Sequence, residues 1–443
     1  MQNDFFINYS INEIISMLKS NKLDLRDLLN FSNKLHKKFN SEFKFTESFD
    51  IHHEIKFIDK EMGGIPYLAK DIYNTEFFKT EMGSIIWKDF HPGNNARIID
   101  SLNFEGAILI GKTVTSEFAI HAANKTLNPF NKSRKVGTSS SGSAVAVSLG
   151  IVPFALGTQT AGSIIRPSSF CGIFGMKPTY GLLPRTGILK TTDTLDNPGF
   201  MTPNINSLKN ILDNVRVKGK NYPFVFKNID NAKKEFRKPF KIGFIKTYCW
   251  DHAEDYVKEE ILKLLKKIDE NSNYNLIEIN TIKEIKTSHE IHETIYDKCI
   301  SYYFEDELKG YKNKISPSTL KMTERGSRIK AEEYLFALNE QKIISKILND
   351  KFKNFDAIIS LSTASIAPQL NIDETIDPSL IWTLAGIPTV NVPLSLYQNM
   401  PFGVQVIASK YKDYILLEVL NNLAKDQIIR SKSIKPDVLG VDK

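Results

Sequence analysis

The spacing of apolar residues near the start of the chain is helical. Ser10 and Glu13 form a capping-box pattern, and Asp24 stands where a second helix would begin. The apolar residues that follow these caps recur at i, i+3 and i+4, at Ile11, Ile14, Ile15, Leu18, Leu25, Leu28, Leu29 and Leu35. The pattern predicts two scaffold helices within residues 10–39.

Short apolar runs separated by glycines follow, and they are typical of buried strands that alternate with helices. We expect a turn at Gly63–Gly64 that enters a strand ending at Lys70. The same reasoning predicts helices at 94–102 and 141–149, strands at 106–110 and 151–156, and a buried element at 172–181.

Residues 205–355 are richer in charge and poorer in glycine, and they predict long amphipathic helices such as 254–268 and 331–350. Two short strands are expected among them, at 241–247 and 275–279. The tail returns to alternating elements, with strands at 357–361, 389–393 and 403–408 and helices at 378–385 and 413–424. Alternation at both ends of the chain predicts an α/β fold with one sheet built from both halves and helices on its faces.

Composition narrows the classes of protein. A chain of 443 residues with 42% hydrophobic content can bury a large core. The net charge of +7 comes from thinly spread lysines interleaved with Asp and Glu, which disfavours nucleic-acid binding. The beginning of the chain lacks a basic signal-peptide region, and the longest apolar run is too short to span a bilayer, so we expect no membrane segment.

The cysteines indicate a reducing environment. Cys171, Cys249 and Cys299 are too few and too scattered for a disulfide framework or a zinc site. We therefore expect a cytoplasmic protein.

Residues 106–113 match the phosphate-loop pattern G-x-x-x-x-G-K-T. A phosphate loop needs free backbone N–H groups, whereas the four apolar residues at 107–110 belong in a sheet that already uses theirs. We therefore expect a strand here and no nucleotide. His289 and His292 have the i, i+3 spacing of a metal pair, but without a third ligand a solvated helix face is favoured.

Lys70 is the first candidate for a catalytic residue, because it ends an apolar strand. A lysine there either extends its amine to the surface or is buried because it has a function. A serine nucleophile needs a base. The chain shows neither a Ser-His-Asp set nor a G-x-S-x-G elbow. A neutral lysine can serve instead if its pKa falls by roughly three units, worth about 4 kcal/mol. Burial supplies pressure in that direction.

The turn Thr160-Ala161-Gly162-Ser163 has small side chains, so successive N–H groups can converge on one point. An oxyanion hole requires such convergence. The alternative interpretation is that this turn and the serine-rich loop at 137–143 are tight connections and nothing more.

Several motifs together resemble the amidase signature family. They are G-I-P-x-x-x-K-D at 64–71, G-x-S-S-x-G-S at 137–143, G-T-x-T-x-G-S at 157–163, and F-C-G-x-x-G-x-K-P-T-Y-G at 170–181. The resemblance extends to the turn at 195–199 and returns at 385–388 and 402–405, while residues 205–355 add nothing to it.

The resemblance implies a Ser–cis-Ser–Lys triad with Ser163 as acyl nucleophile, Ser139 as bridging serine on a cis peptide, and Lys70 as the final base. The oxyanion hole would be the backbone N–H groups of Thr160, Ala161, Gly162 and Ser163. No metal or organic cofactor is implied. The family fold is a large mixed β-sheet covered by helices.

On this basis residues 1–443 are expected to form a single amidase-type domain. Residues 1–60 would be N-terminal helices and 61–204 the catalytic core. Residues 205–355 would form a helical lobe near the substrate, and 356–443 would complete the sheet.

The chain departs from the family pattern at several positions. Thr138 and Ser141 stand where glycines are usual, Gln159 replaces an Asp, and Ala161 replaces a glycine. Ile165 holds the usual arginine position and Arg166 follows it. Since alanine disfavours positive φ, we expect an unstrained backbone at residue 161.

The leading hypothesis is a stand-alone hydrolase of small carboxylic amides. A second is the amidase subunit of a glutamine-dependent tRNA amidotransferase, against which Gln159, the shifted Arg166 and the short chain argue. A third is a non-catalytic relative. The acyl group of the substrate is not readable, although its pocket is expected to draw on residues 82–88, 121–131 and the helical lobe. Homodimers are common in the family, so one is allowed here.

Overall fold

The computed structural model describes residues 1–52, 59–218, 229, 238–374 and 376–440. Short parts of the predicted N-terminal segment and of the helical lobe lie outside these ranges. Within them, the strands are β1 Thr46–Phe49, β2 Pro66–Lys70, β3 Ile108–Thr113, β4 Ala155–Gln159, β5 Phe174–Lys177, β6 Asn197–Thr202, β7 Phe240–Ile245, β8 Tyr274–Ile279, β9 Ala357–Leu361, β10 Thr389–Tyr397 and β11 Met400–Ile407.

The helices of the described part are α1 Phe5–Asn8, α2 Ile11–Lys19, α3 Leu25–Phe43, α4 Arg97–Phe104, α5 Ser141–Ser148, α6 Ile165–Phe170, α7 Ser207–Val215, α8 Asp255–Asp269, α9 Ser288–Tyr303, α10 Glu305–Tyr311, α11 Pro317–Arg328, α12 Ala331–Phe352, α13 Leu380–Ala385 and α14 Asp413–Lys425. The expected capping box is present, because the hydroxyl of Ser10 accepts from the backbone N–H of Glu13 and the Glu13 carboxylate accepts in return. Asp24 caps α3 through the N–H groups of Arg26 and Asp27. Both predicted N-terminal helices are therefore confirmed.

All eleven strands lie in one mixed sheet, in the order β1-β3-β2-β4-β6-β5-β10-β11-β9-β7-β8. β2 pairs in parallel with both β3 and β4, whereas β10 joins the two halves of the chain by pairing antiparallel with β5. The predicted class, a large mixed sheet covered by helices with a more helical lobe from the middle of the chain, is confirmed. β7 and β8, expected as short strands within the lobe, form one edge of this same sheet.

Some boundaries differ from the sequence prediction. The strand expected at 151–156 runs from Ala155 to Gln159, because the chain bends at 151–153 before it enters the sheet. The element thus ends four residues before Ser163 instead of seven. Residues 195–199, expected as a turn, include the start of β6. Helix α6, which begins two residues after Ser163, was not anticipated.

The phosphate-loop look-alike is strand β3, as expected. Gly111, Lys112 and Thr113 end that strand, and Lys112 is fully buried. Its Nζ lies 3.0 Å from Asp71 Oδ1 and donates to Thr80 Oγ1 at 2.7 Å and to the carbonyl of Tyr73 at 2.8 Å. The lysine therefore has a structural role. Among the described residues, no helix is both long enough and apolar enough to cross a bilayer.

Candidate active site

Lys70 lies at the carboxyl end of β2 and is fully buried. Its Nζ donates to Ser139 Oγ at 2.8 Å and to Thr158 Oγ1 at 2.9 Å. Within the described part of the chain no carboxylate forms an ion pair with it. Burial lowers the pKa of Lys70 well below its usual value, and the charge of Asp196 opposes that shift only in part. The amine is therefore biased toward its neutral form, in which it can act as a base.

Ser139 comes from the loop that precedes α5, and Ser163 comes from the turn between β4 and α6. Both are nearly inaccessible, at 1% and 5% exposure. The Oγ of Ser163 lies 2.8 Å from Thr138 Oγ1, so its hydrogen-bond partner in this structure is Thr138 and not Ser139. The fold thus brings Lys70, Ser139 and Ser163 into one buried hydroxyl cluster, with Thr138 between the two serine-bearing elements.

The peptide bond before Ser139 is not cis in this structure, so that prediction is wrong. Within the described residues the cis peptide bond is the one between Lys238 and Pro239. The bond before Ser139 is trans, which is the lower-energy form for a non-proline residue by about 3 kcal/mol.

The turn at 160–163 presents a row of free backbone donors. The N–H groups of Thr160, Ala161, Gly162 and Ser163 donate to no atom of the described residues, although all four residues are buried. Buried N–H groups are rarely left without a partner. Donors of this kind suit an oxygen that gains negative charge during a reaction. Ala161 does not have a positive φ, so the expected unstrained backbone there is confirmed.

The side chain of Gln159 stabilises this turn through hydrogen bonds. Gln159 Oε1 accepts from the N–H of Ile164 at 2.8 Å and of Ile165 at 3.0 Å, which satisfies two donors at the start of α6. Gln159 Nε2 donates to Thr383 Oγ1 at 2.9 Å. A neutral amide serves here because it must both accept and donate, which an ionised carboxylate cannot do.

Arg166, one turn after Ser163, forms ion pairs with Glu374 and Asp377. These carboxylates raise the pKa of Arg166 despite its burial. Burial is the largest influence on the pKa of Asp377 and would raise it. The charges and hydrogen bonds of its neighbours, with Arg166 first among them, together outweigh burial and leave that pKa lowered. A Cβ on Gly162 would lie 2.1 Å from Asp377 Oδ2, so the carboxylate packs directly against the nucleophile turn.

His289 and His292 do not lie on a solvated helix face, so that expectation is wrong. His292 is 3% exposed, and its Nε2 lies 2.8 Å from the carbonyl oxygen of Thr160. His289 is half-buried, with Nε2 at 3.1 Å from the carbonyl of Asp377 and Nδ1 hydrogen-bonded to the hydroxyl of Tyr248. Helix α9 packs against α11, α12 and α13, and both histidines contact protein atoms instead of solvent. The rings bond to protein atoms, and no metal-binding cluster occurs among the described residues.

Two cavities lie near these groups. One of about 170 Å³ touches Thr158 and Thr160. Its remaining lining combines apolar residues such as Ile72 and Leu189 with charged and polar ones, among them Arg185 and Asp196. Another, of about 530 Å³, is lined by parts of 83–88, 122–125 and 313–316. The second coincides with segments in which the sequence predicted the specificity pocket, and that assignment stays a prediction.

Comparison with known proteins agrees with this geometry. The sequence model of the Amidase family matches residues 38–417, most of the chain. The chain belongs to the Amidase family. It is therefore an amidase-type enzyme that acts on C–N bonds.

Curated relatives include a Glutamyl-tRNA(Gln) amidotransferase subunit of Listeria innocua, 29% identical over 81% of this chain and 82% of the relative. The corresponding protein of Caldanaerobacter subterraneus has the same name and is 27% identical, with the same coverage. Solved structures with the same fold include the protein of that name from Thermotoga maritima, with TM-score 0.80, 23% identity, and coverage of 97% and 98%. The peptide amidase of Stenotrophomonas maltophilia superposes with TM-score 0.82 at 18% identity, covering 98% and 99%.

Sequence reasoning missed several residues that contact the site. Thr138 and Gln159 stood out as departures from the family pattern, but their partners were not readable. His292 carried the signal of a paired histidine with the wrong face assigned. Thr158 belongs to the G-T-x-T-x-G-S motif, but the motif did not reveal its contact with Lys70. Thr383 carried no signal, because its contacts arise only from the packing of α13 beside the turn.

Proposed function

We propose that this chain hydrolyses a linear carboxylic amide through an acyl-enzyme on Ser163, with Ser139 and Lys70 as the proton relay. The observation that carries the proposal is the buried Lys70, whose Nζ lies 2.8 Å from Ser139 Oγ. Among the described residues, its hydrogen-bond partners are the hydroxyl groups of Ser139 and Thr158. A fully buried lysine without a carboxylate is costly unless it is neutral, and a neutral amine is a base.

The reaction begins when Ser139 passes its proton to Lys70 and takes the proton of Ser163. Ser163 Oγ attacks the amide carbon, and the negative oxygen that forms faces the N–H groups of residues 160–163. The proton returns from Lys70 through Ser139 to the leaving nitrogen, so the C–N bond breaks and an amine or ammonia departs. Water then attacks the ester carbon and gives a proton through Ser139 to Lys70. The bond between that carbon and Ser163 Oγ breaks, the relay returns the proton to Ser163, and the acid leaves.

The resting contact between Ser163 and Thr138 adds one step to this sequence. Ser163 Oγ must leave Thr138 Oγ1 for Ser139 Oγ before its proton can reach Lys70. Rotation about the Cα–Cβ bond of Ser163 is the movement we assign to this step, since staggered side-chain rotamers interconvert readily.

The test compares the wild type with Ser163→Ala and Lys70→Met on a panel of small amides, with release of ammonia or amine as the measurement. We expect each substitution to lower kcat at least about 1000-fold, as loss of a nucleophile or its base does in serine hydrolases. Ser168→Ala is the control, because Ser168 is a buried serine on α6 outside the cluster. Equal release by wild type and Ser163→Ala would refute the proposal.

The pH profile is a second measurement. Because only neutral Lys70 accepts a proton, kcat/KM should rise with pH to a plateau, and the plateau should begin well below the ordinary lysine pKa of 10.5. A profile that falls as the pH rises, or one that reaches its plateau only near the ordinary lysine pKa of 10.5, would exclude neutral Lys70 as the base.

A second candidate is a role within an amidotransferase, since the curated relatives named above are subunits of such enzymes. The paired Arg166 argues against it, because Glu374 and Asp377 neutralise the cation that follows the nucleophile and leave it little charge for the carboxylate of glutamine. A partner that co-purifies in stoichiometric amount, together with preference for glutamine over other amides, would favour this candidate.

The setting of the enzyme follows from the same reasoning. We propose a small amide as substrate and a cytoplasmic location, since all three cysteines are buried free thiols that a reducing compartment would preserve. A homodimer stays a prediction, to be checked by light scattering.

A further inference from the structure

Helix α9 contacts the nucleophile turn through the side chain of His292. His292 Nε2 lies 2.8 Å from the carbonyl oxygen of Thr160, 132 positions away in the chain. A carbonyl oxygen only accepts, so Nε2 carries the proton and donates. Burial lowers the pKa of His292 to about 4, which keeps the ring neutral near pH 7. The hydrogen bond therefore orients the Thr160 carbonyl without adding a charge to the site.

The direction matters because a peptide group is planar. The carbonyl of Thr160 and the N–H of Ala161 belong to one trans peptide and point in opposite directions. A donor that holds the carbonyl on the α9 side therefore turns the N–H of Ala161 away from α9. That N–H is one of the free donors of the turn.

The next peptide is held in the same manner. Thr383 Oγ1, on α13, donates to the carbonyl of Ala161 at 2.6 Å, and this orients the N–H of Gly162. Gln159 Nε2 donates to the same Thr383 oxygen at 2.9 Å and keeps it in place. Two successive N–H groups are thus oriented by side chains from two neighbouring helices, α9 and α13.

We propose that His292 is a positioning residue that aims the N–H of Ala161 at the oxyanion by holding the Thr160 carbonyl. The inference rests on the proposed function, since it assumes that the turn at 160–163 stabilises the oxyanion. It gives the helical lobe a part in the chemical step in addition to any part in selecting substrate. It also explains why a histidine on α9 is buried against the backbone of a distant turn.

The experiment measures the rate at which a fluorophosphonate probe labels Ser163, because the phosphoryl oxygen occupies the oxyanion hole whatever the natural substrate is. His292→Gln keeps an N–H donor at similar reach, whereas His292→Met keeps the bulk and loses the donor. We expect labelling to slow up to about 100-fold in His292→Met, somewhat less than the loss of an oxyanion donor itself. His292→Gln should recover most of the rate.

A steady-state measurement separates positioning from general damage. On the best amide of the panel, His292→Met should lower kcat and leave KM nearly unchanged, since the donor acts on the transition state. Cys299→Ala is the matched control, because Cys299 is a buried residue of the same helix about two turns further on. It should label at the wild-type rate.

The outcomes are distinct. Wild-type labelling by a folded His292→Met variant, or equal losses in the Met and Gln variants, would overturn the role of the His292 donor. If His292→Met does not fold, His292→Asn replaces it, since its shorter amide stops short of Thr160 and should label slowly; a wild-type rate there would overturn the proposal too. Failure of the proposed function itself shows differently, as a wild type that labels no faster than Ser163→Ala.

Discussion

At the scale of single residues, Thr138 makes a contact with the proposed nucleophile that the sequence did not predict. Its hydroxyl lies 2.8 Å from Ser163 Oγ, whereas Ser139 bonds to Lys70. The resemblance described above implies a glycine at this position, and a glycine has no hydroxyl that could make this contact. In this structure Ser163 must therefore exchange its hydrogen bond to Thr138 for one to Ser139 before the relay can take its proton.

Replacing Thr138 tests this arrangement. In Thr138→Val the competing hydrogen bond is lost while the shape is kept, so Ser163 should reach Ser139 more readily. Since one such bond is worth about 0.5–1.5 kcal/mol, labelling by a fluorophosphonate should be about 2- to 10-fold faster. Thr138→Ser should behave as wild type. Slower labelling of the valine variant would instead place Thr138 inside the relay.

At the scale of elements, the turn between β4 and α6 depends on close packing as well as on its side-chain contacts. Gly162 faces the carboxylate of Asp377, which Arg166 and the N–H of Ser379 hold in place. Neighbouring Ala161 has ordinary backbone angles. The glycine is required here by the lack of space for a Cβ and not by a left-handed backbone.

Exchanging the two small residues tests that distinction. Gly162→Ala should force the turn away from Asp377, cost about 1–3 kcal/mol in free energy of unfolding and slow labelling of Ser163 strongly. Ala161→Gly removes a methyl group from an unstrained position and should cost about 1 kcal/mol or less. Urea denaturation of both variants gives the comparison, and equal losses would contradict the packing argument.

At the scale of the whole molecule, the sheet joins distant parts of the chain, and β5 and β10 form the seam. Lys177 lies at the end of β5 and is fully buried. It donates to the carbonyl of Pro178 at 3.1 Å and to the carbonyl of Ile387 at 2.5 Å. Ile387 lies two positions before the start of β10. Burial lowers the pKa of Lys177 to about 7, although Asp413 opposes the shift. The seam between the two halves therefore contains an amine that titrates near neutrality.

The stability of the protein should depend on pH because of this amine. The pKa of Lys177 is depressed on folding, so the unfolded chain binds more protons between pH 7 and 10.5, and the free energy of unfolding rises with pH in that window. Lys177 accounts for up to about 1.4 kcal/mol per pH unit of this rise. We expect Lys177→Met to flatten the slope by that amount in urea denaturation at pH 7 to 10.

The control for this measurement is Lys266→Met, which removes an exposed lysine of α8. Its slope should match that of the wild type. An unchanged slope in Lys177→Met would show that Lys177 keeps its proton in the folded protein.

The sequence located many of the helices and strands, although not α6, and it identified the candidate residues. Apolar spacing and caps located α2 and α3, and the four apolar residues before Gly111 identified β3 as a strand despite its phosphate-loop letters. Such patterns are local, because a helix or strand is specified mainly by residues a few positions apart. Motif resemblance then pointed to Lys70, Ser139 and Ser163. These motifs are recognised from residue order alone, so the distances between the three side chains need not be known.

Only the tertiary structure decided which side chains meet. It placed Thr138 against Ser163, tied Gln159 to the start of α6, turned His292 inward onto Thr160, and added β7 and β8 to the edge of the common sheet. Each of these depends on how remote elements pack, and a side chain's partner, burial and pKa follow from that packing. Residues 160 and 292 share no local pattern, so their contact exists only once α9 lies against the nucleophile turn.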